Sequence, residues 1–233
     1  MTGLGRHRAW LAAAGSIAAL VALLLGVAKP GDTVSRAQAP EEFLRPVVFD
    51  NPERTVEVGL HIENIHQFSL TDKVYSVEGW YWLRWPEEIQ QIITTEKIPL
   101  VNIIEFTNVI ENSSLLVEKD RSQPTELTGT RKYQLFRFSG RFYVDNLDLH
   151  KFPFETLNLP VILELRPDEL SCYTGGPVAC VYLKPNATDE QTLVGQYAEV
   201  NGFKQIGSHV TPLIHEYNTT FGKGPESRNT AHS

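Results

Sequence analysis

Much of what this chain could be is excluded by what it lacks. After Arg6-His7-Arg8 no basic cluster exceeds Arg131-Lys132, and the formal charge is −7; a polyanion such as nucleic acid has no footprint here. There is no Gly-x-Ser-x-Gly, no phosphate loop and no convergent acid, base and nucleophile, so an enzyme is not expected. Glu63, His66 and Ser69 read as ordinary surface residues of one strand and turn. Only two cysteines are present, too few for a zinc site. His61 and His66, five apart on a strand, fall on opposite faces and do not complete one. No metal or cofactor is expected. Helical periodicity is almost absent, and no long apolar run follows Ala28.

The one long apolar run, Ala9 to Ala28, carries no charge and follows the basic flank. Its length matches the ~20 residues that span a bilayer. Gly26-Val27-Ala28 and Ala37-Gln38-Ala39 are small-x-small sites that suit cleavage of a leader. Signal peptide and uncleaved membrane anchor (residues 9–28) are both open, and either exports the rest to a periplasmic or extracellular location. Residues 1–28 are then signal or anchor, and 29–53, with Pro30, Pro40, Pro46 and Pro52, an extended linker. Residues 54–221 form the folded domain, and 222–233 a polar tail. In an exported chain, Cys172 and Cys180 bracketing Tyr173-Thr174-Gly175-Gly176-Pro177 predict a disulfide across a hairpin loop.

From Thr55 the apolar residues alternate with period two: Val56, Val58, Leu60 and Ile62 face one way, Glu57, Gly59, His61 and Glu63 the other. A turn, Ser69 to Lys73, leads to a second strand, Val74 to Trp85. This puts Tyr75, Val77, Tyr81, Leu83 and Trp85 on one face, and Ser76, Glu78, Trp80, Trp82 and Arg84 on the other. Two tryptophans among Ser, Glu and Arg do not make a core, and such clusters mark binding surfaces. Burial on both faces of the strand is the alternative. Residues 89–111 show no secure register, and 112–130 read as a loop or loosely paired edge. A strand from Tyr133 to Val144 sets Phe136, Phe138, Gly140, Phe142 and Val144 against Arg137, Ser139, Arg141 and Tyr143. Short strands follow at Pro160 to Leu165, Val178 to Leu183 and Phe203 to Tyr217, the last interrupted by Pro212. Many short strands and turns predict an all-β sandwich or barrel. Between two of them lies Phe152-Pro153-Phe154-Glu155, a loop tip whose two rings need something to pack on.

Three stretches resemble the extracellular domain of pentameric ligand-gated ion channels, in particular its prokaryotic members. Val56 to Trp85, with S-L-T-D-K and W-Y-W-L-R-W, is similar to that family's first two strands. Phe106-Thr107-Asn108-Val109 is similar to a segment after its third or fourth. Arg137 to Glu164, with F-S-G-R and L-D-L-H-K-F-P-F-E, resembles its sixth strand and signature loop. The resemblance spans about Val47 to Tyr217. It implies an immunoglobulin-like β-sandwich of about nine to ten strands, here with an N-terminal apolar helix, assembled as a homo-oligomer, a homopentamer in the family.

The resemblance also implies a site between subunits for a small organic ligand. Trp80, five before the core-like Trp85, stands where the family places an aromatic on the complementary face, with Trp82 beside it and Tyr133 on a strand lining that side. Arg166 stands where amine-binding members carry a tryptophan, which turns the expectation toward an anionic or zwitterionic ligand. A surface pairing of Arg166 with Asp168 or Glu169 is the plainer alternative. Tyr217 lies where the family's capping loop begins. Asp72, Asp148, Phe152, Pro153, Phe154 and Glu155 correspond to the surface that couples binding to a pore, and Asp72 and Asp148 equally suit turn caps. Departures are plain: Asp145 and Leu159 replace the signature-loop cysteines of animal members, and residues 1–233 include no pore of four membrane helices. Conduction would need a membrane or pore-forming partner. A structural or adhesive exported sandwich without small ligand, or an incomplete channel gene product, is the competing expectation.

Overall fold

The computed structural model describes residues 16–28, 51–127, 129–144, 156–166, 170, 181–186 and 193–217, with residues 16–28 and 213–217 described by backbone alone. The described chain is mostly β-strand with one α-helix. Strands β1 (Ser16–Ala28), β2 (Thr55–Ser69), β3 (Val74–Trp85), β4 (Ile104–Phe106), β5 (Leu116–Lys119), β6 (Thr125–Leu127), β7 (Arg131–Tyr143), β8 (Thr156–Leu165), β9 (Tyr182–Pro185) and β10 (Lys204–Tyr217) form two sheets. One has the order β10-β1-β8-β4; the other has the order β5-β7-β3-β2-β9, with β6 beside β7. Among the described strands the pairings are antiparallel except β2 with β9, and an isolated parallel bridge joins Ile62 to Val194.

The period-two pattern of the sequence decides which side chains are buried. Val56, Val58, Leu60 and Ile62 of β2 are buried, as are Tyr75, Val77, Tyr81, Leu83 and Trp85 of β3 and Phe136, Phe138 and Phe142 of β7. Leu159, Val161, Leu163 and Leu165 of β8 and Phe106 of β4 join the same cluster, so the core takes residues from both sheets. Its aromatic centre is Tyr81, stacked on Phe136 at 4.6 Å and 5° and edge-on to Phe106 at 5.7 Å and 75°. Such ring geometries add ~0.5–1.5 kcal/mol per pair beyond area burial.

Asn108, after β4, is buried at 1% exposure and ties the sheets together with its side chain. Its Nδ2 donates to the carbonyls of Tyr143 (3.2 Å) and Pro160 (2.6 Å), and its Oδ1 accepts from the Ile162 N–H (3.0 Å). The Tyr75 hydroxyl donates to the same Pro160 carbonyl.

Three features depart from expectation. The start of the stretch 89–111, where no register was assignable, belongs to α1 (Glu87–Thr95), which buries Ile89 and Ile93; the Trp85 indole N–H donates to Gln90 Oε1 at 2.9 Å. Where an N-terminal apolar helix was expected, residues 16–28 form β1, bonded on one edge to β8 and on the other to β10. An unbroken apolar run has no period to separate helix from buried strand, and here sheet hydrogen bonding decides. No helix among the described residues is long and apolar enough to cross a membrane. Third, β10 continues through Pro212. It is an edge strand, where a missing N–H can face outward.

Candidate functional site

Because β2, β3 and β7 are neighbours in register, the polar parities of the three strands meet in rows across one sheet face. Glu57, Arg84 and Tyr133 make one row; Gly59, Trp82 and Leu135 the next; then His61, Trp80 and Arg137; then Asn64, Glu78 and Ser139. Strand β5 extends the last two rows with Glu118 opposite Arg137 and Leu116 opposite Ser139. Trp80, Trp82, Glu78 and Arg84 are half-buried, neither core nor fully exposed.

Trp80 is held from one side by a charge. The Arg137 guanidinium carbon lies 5.8 Å from the centre of the Trp80 ring, a cation–π distance, and a guanidinium nitrogen stands 3.9 Å from a Glu78 carboxylate oxygen. Beside this group, Glu78, Leu116, Glu118, Arg137, Phe138 and Ser139 line a cavity of about 210 Å³. Leu116 is 56% exposed, an apolar side chain at its rim. At the other end of the face, Tyr133 and Leu135 help line a cavity of about 390 Å³ with Asp120, Arg121, Gln123 and Leu127. Glu57 is occupied by Arg131 at 3.1 Å.

Trp82 lies flat against the backbone of β2. A Cβ added to Gly59 would fall 2.0 Å from Trp82 Cε2, so the missing side chain is the space the indole fills. Substituting Gly59→Ala is expected to lift Trp82 off the sheet and cost about 1–3 kcal/mol. Red-shifted tryptophan emission together with a lower melting temperature checks it; unchanged emission would show that the indole does not depend on this space.

The sequence-predicted residues divide between the sheets. Trp80, Trp82 and Tyr133 share the face just described. Arg166 follows β8 in the other sheet, exposed, its N–H donating to the Ile103 carbonyl at 3.0 Å, and Tyr217 ends β10 of that sheet, opposite Ser16. Within one chain, Arg166 and Tyr217 therefore belong to a different sheet from Trp80. The acids expected beside Arg166, Asp168 and Glu169, lie outside the described residues, as do Asp148, Phe152, Pro153, Phe154, Glu155, Cys172 and Cys180. Asp72 caps its own turn: Ser69 Oγ donates to its carboxylate at 2.8 Å, and the Asp72 N–H donates back to Ser69 Oγ at 3.2 Å. No group of three or more metal-ligating side chains occurs among the described residues.

Sequence reasoning singled out Trp80 and missed Arg137, Glu78 and Glu118. Arg137 and Glu78 were already on the outward parity of their strands. What was lacking was the register that sets residue 137 beside residue 80.

No protein-family model matches the chain, and no curated protein matches its sequence.

Proposed function

We propose that this protein is an exported small-molecule-binding module, a β-sandwich of the pentameric ligand-gated channel type, binding its ligand at the Trp80 face between subunits of a homo-oligomer. In that arrangement the second sheet of a neighbouring copy, with Arg166 and Tyr217, closes over Trp80 and Trp82. The proposal includes coupling to ion conduction by a membrane domain through the Phe152–Glu155 loop, and no enzymatic activity. One observation carries it: a half-buried indole with a guanidinium over its ring, a carboxylate at that guanidinium, and a cavity alongside.

The same group narrows the ligand. Arg137, seated over the Trp80 ring, supplies a fork for a carboxylate, while Glu78 and Glu118 at the same cavity suit an ammonium. A purely anionic ligand would meet two carboxylates. A zwitterion of amino-acid size meets a partner for each sign.

The test is a thermal-shift screen of amino acids, amines and organic acids on the assembled oligomer. A zwitterion is expected to raise the melting temperature. Trp80→Ala is expected to weaken its binding at least about tenfold, equivalent to ~1.4 kcal/mol, and Arg137→Gln to weaken carboxylate-bearing ligands more than simple amines. No shift with any compound, or a shift that survives Trp80→Ala, would favour the adhesive reading, in which the tryptophans contact protein.

A further inference from the structure

The N-terminal apolar segment has two incompatible destinations. By sequence it is a leader or anchor: basic flank, uncharged run, and a small-x-small site at Gly26-Val27-Ala28. By structure it is β1, an inner strand of the four-stranded sheet. Its backbone pairs with β10 from Ser16–Tyr217 to Ala28–Lys204 and with β8 from Leu20–Glu164 to Ala28–Thr156. A segment in a bilayer or cut away cannot do this, so a mature chain without it has a strand-wide gap between β8 and β10.

The gap does not close by itself. Both walls run antiparallel to β1, so β8 and β10 are parallel to each other and lie two strand spacings apart, roughly 9–10 Å. Bringing them together would demand a strand-wide slide and a new parallel ladder. Left open, each wall presents a row of unpaired N–H and C=O groups, which sheets rarely tolerate on strands this long. The wall at β8 is also part of the core, with Leu157, Leu159, Val161 and Leu163 buried. What the gap fits is shown by what sits in it: an extended, uncharged, apolar segment running antiparallel to both neighbours.

We infer that the β8–β10 gap is a strand-accepting site. Residues 16–28 fill it in the full chain, and once they leave after Ala28 it takes an extended apolar segment of a second polypeptide. Main-chain hydrogen bonds supply the affinity, as in strand addition generally, and apolar side chains the selection. This inference rests on the leader reading of residues 1–28 and shares its sheet with the proposed subunit contact through Arg166 and Tyr217; strand uptake is read without ligand, so its failure and that of ligand binding at Trp80 are distinguishable.

The test uses the full chain with a protease site inserted between Gln38 and Ala39, cut after folding. Hydrogen exchange on the uncut protein comes first: backbone amides of β8 and β10 that face β1 are expected to be protected, and loop-like exchange there overturns the inference. After cutting, a fluorescent peptide copying residues 16–28 with a terminal lysine tail is added. Either residues 1–38 stay bound with those amides still protected, or the peptide replaces them saturably, at about one per chain. Both results support the site. A peptide with proline at the positions of Ala22 and Leu24 is expected to bind at least tenfold more weakly, because proline removes ladder donors. Loss of residues 1–38 without peptide uptake, or equal uptake of the proline peptide, overturns it.

Discussion

Tyr81→Ala is expected to lower the unfolding free energy by about 3–5 kcal/mol, whereas Tyr81→Phe is expected to leave it unchanged or raise it by about 1 kcal/mol. The contrast follows from the two ends of the side chain. The ring is fully buried, stacked on Phe136 and edge-on to Phe106, so its removal opens a cavity where β3, β7 and β4 meet. The hydroxyl is buried with no hydrogen-bond partner among the described residues. Removing it discards an unsatisfied group while keeping the shape. Burial also pushes the Tyr81 phenol far above its ordinary value of 10.0, and raises that of Tyr75, the latter offset in part by Asn108. The folded state therefore holds these protons after the unfolded chain has released them. Their contribution to stability is complete below pH about 10 and is lost as pH rises beyond it. Tyr81→Phe removes one of the two contributions and should move the alkaline unfolding midpoint upward. Urea titrations at pH 7 and pH 11 on the three proteins decide the matter. A phenylalanine variant that loses several kcal/mol would mean the hydroxyl has a partner and the packing argument is wrong.

Those strands are also where the sequence was most legible. Alternation alone assigned the buried faces of β2, β3 and β7, because each has one face toward the core and a shift of one residue would turn the apolar set outward. Legibility failed where period two did not apply. Residues 87–95 carry their own helical signal, with Pro86 ahead, Glu87 and Glu88 in the first turn and Ile89, Ile92 and Ile93 at helical spacing. The stretch is short and runs straight on from a strand, so it reads as scattered apolar residues. The N-terminal run failed for the opposite reason, since it is apolar everywhere and has no period. Pro212 suggested a break because sequence does not say which strand becomes an edge.

The site was half legible for a related reason. The outward parity of Trp80 and Trp82 is a property of one strand. Its companions depend on how three strands align, and on the β2 side that alignment is set by β-bulges. One register shift lies between Ile62 and Asn64 of β2, opposite Gly79 and Glu78 of β3, and moves Asn64 rather than Glu63 into the row beside Glu78. A bulge adds one residue to one strand and is invisible to alternation counted on either strand alone. Arg137 and Glu118 join Trp80 through continuous ladders, β3 with β7 and β7 with β5, whose register no single strand displays.

Asn108 extends the same point to the contact between sheets, and carries the second large prediction. It follows the short strand β4, whose ladder with β8 ends at Phe106–Leu163. Beyond that pair the carboxamide takes over, accepting from the Ile162 N–H and donating to the Pro160 carbonyl, while its second donor bond reaches Tyr143 at the end of β7. One side chain thus satisfies three buried main-chain groups from two sheets. Asn108→Ala is expected to cost about 2–6 kcal/mol: the Ile162 N–H and the Tyr143 carbonyl lose this partner at roughly 1–3 kcal/mol each, while the Pro160 carbonyl keeps the Tyr75 hydroxyl. Asn108→Asp keeps the shape and the acceptor for Ile162, but sets a carboxylate oxygen against two carbonyls in a dry site. Burial and those carbonyls would raise the folded-state pKa of the introduced acid above its unfolded value near 3.9. The sign follows: the neutral acid, which can donate to one carbonyl, is tolerated below the unfolded pKa, and stability drops as pH rises through the folded one. Urea titrations from pH 4 to pH 8 should therefore show the aspartate variant falling away from wild type with rising pH, while the alanine variant keeps a constant deficit. An aspartate variant with a pH-independent deficit would show that position 108 is not the dry, donor-demanding junction between the sheets that its three hydrogen bonds describe.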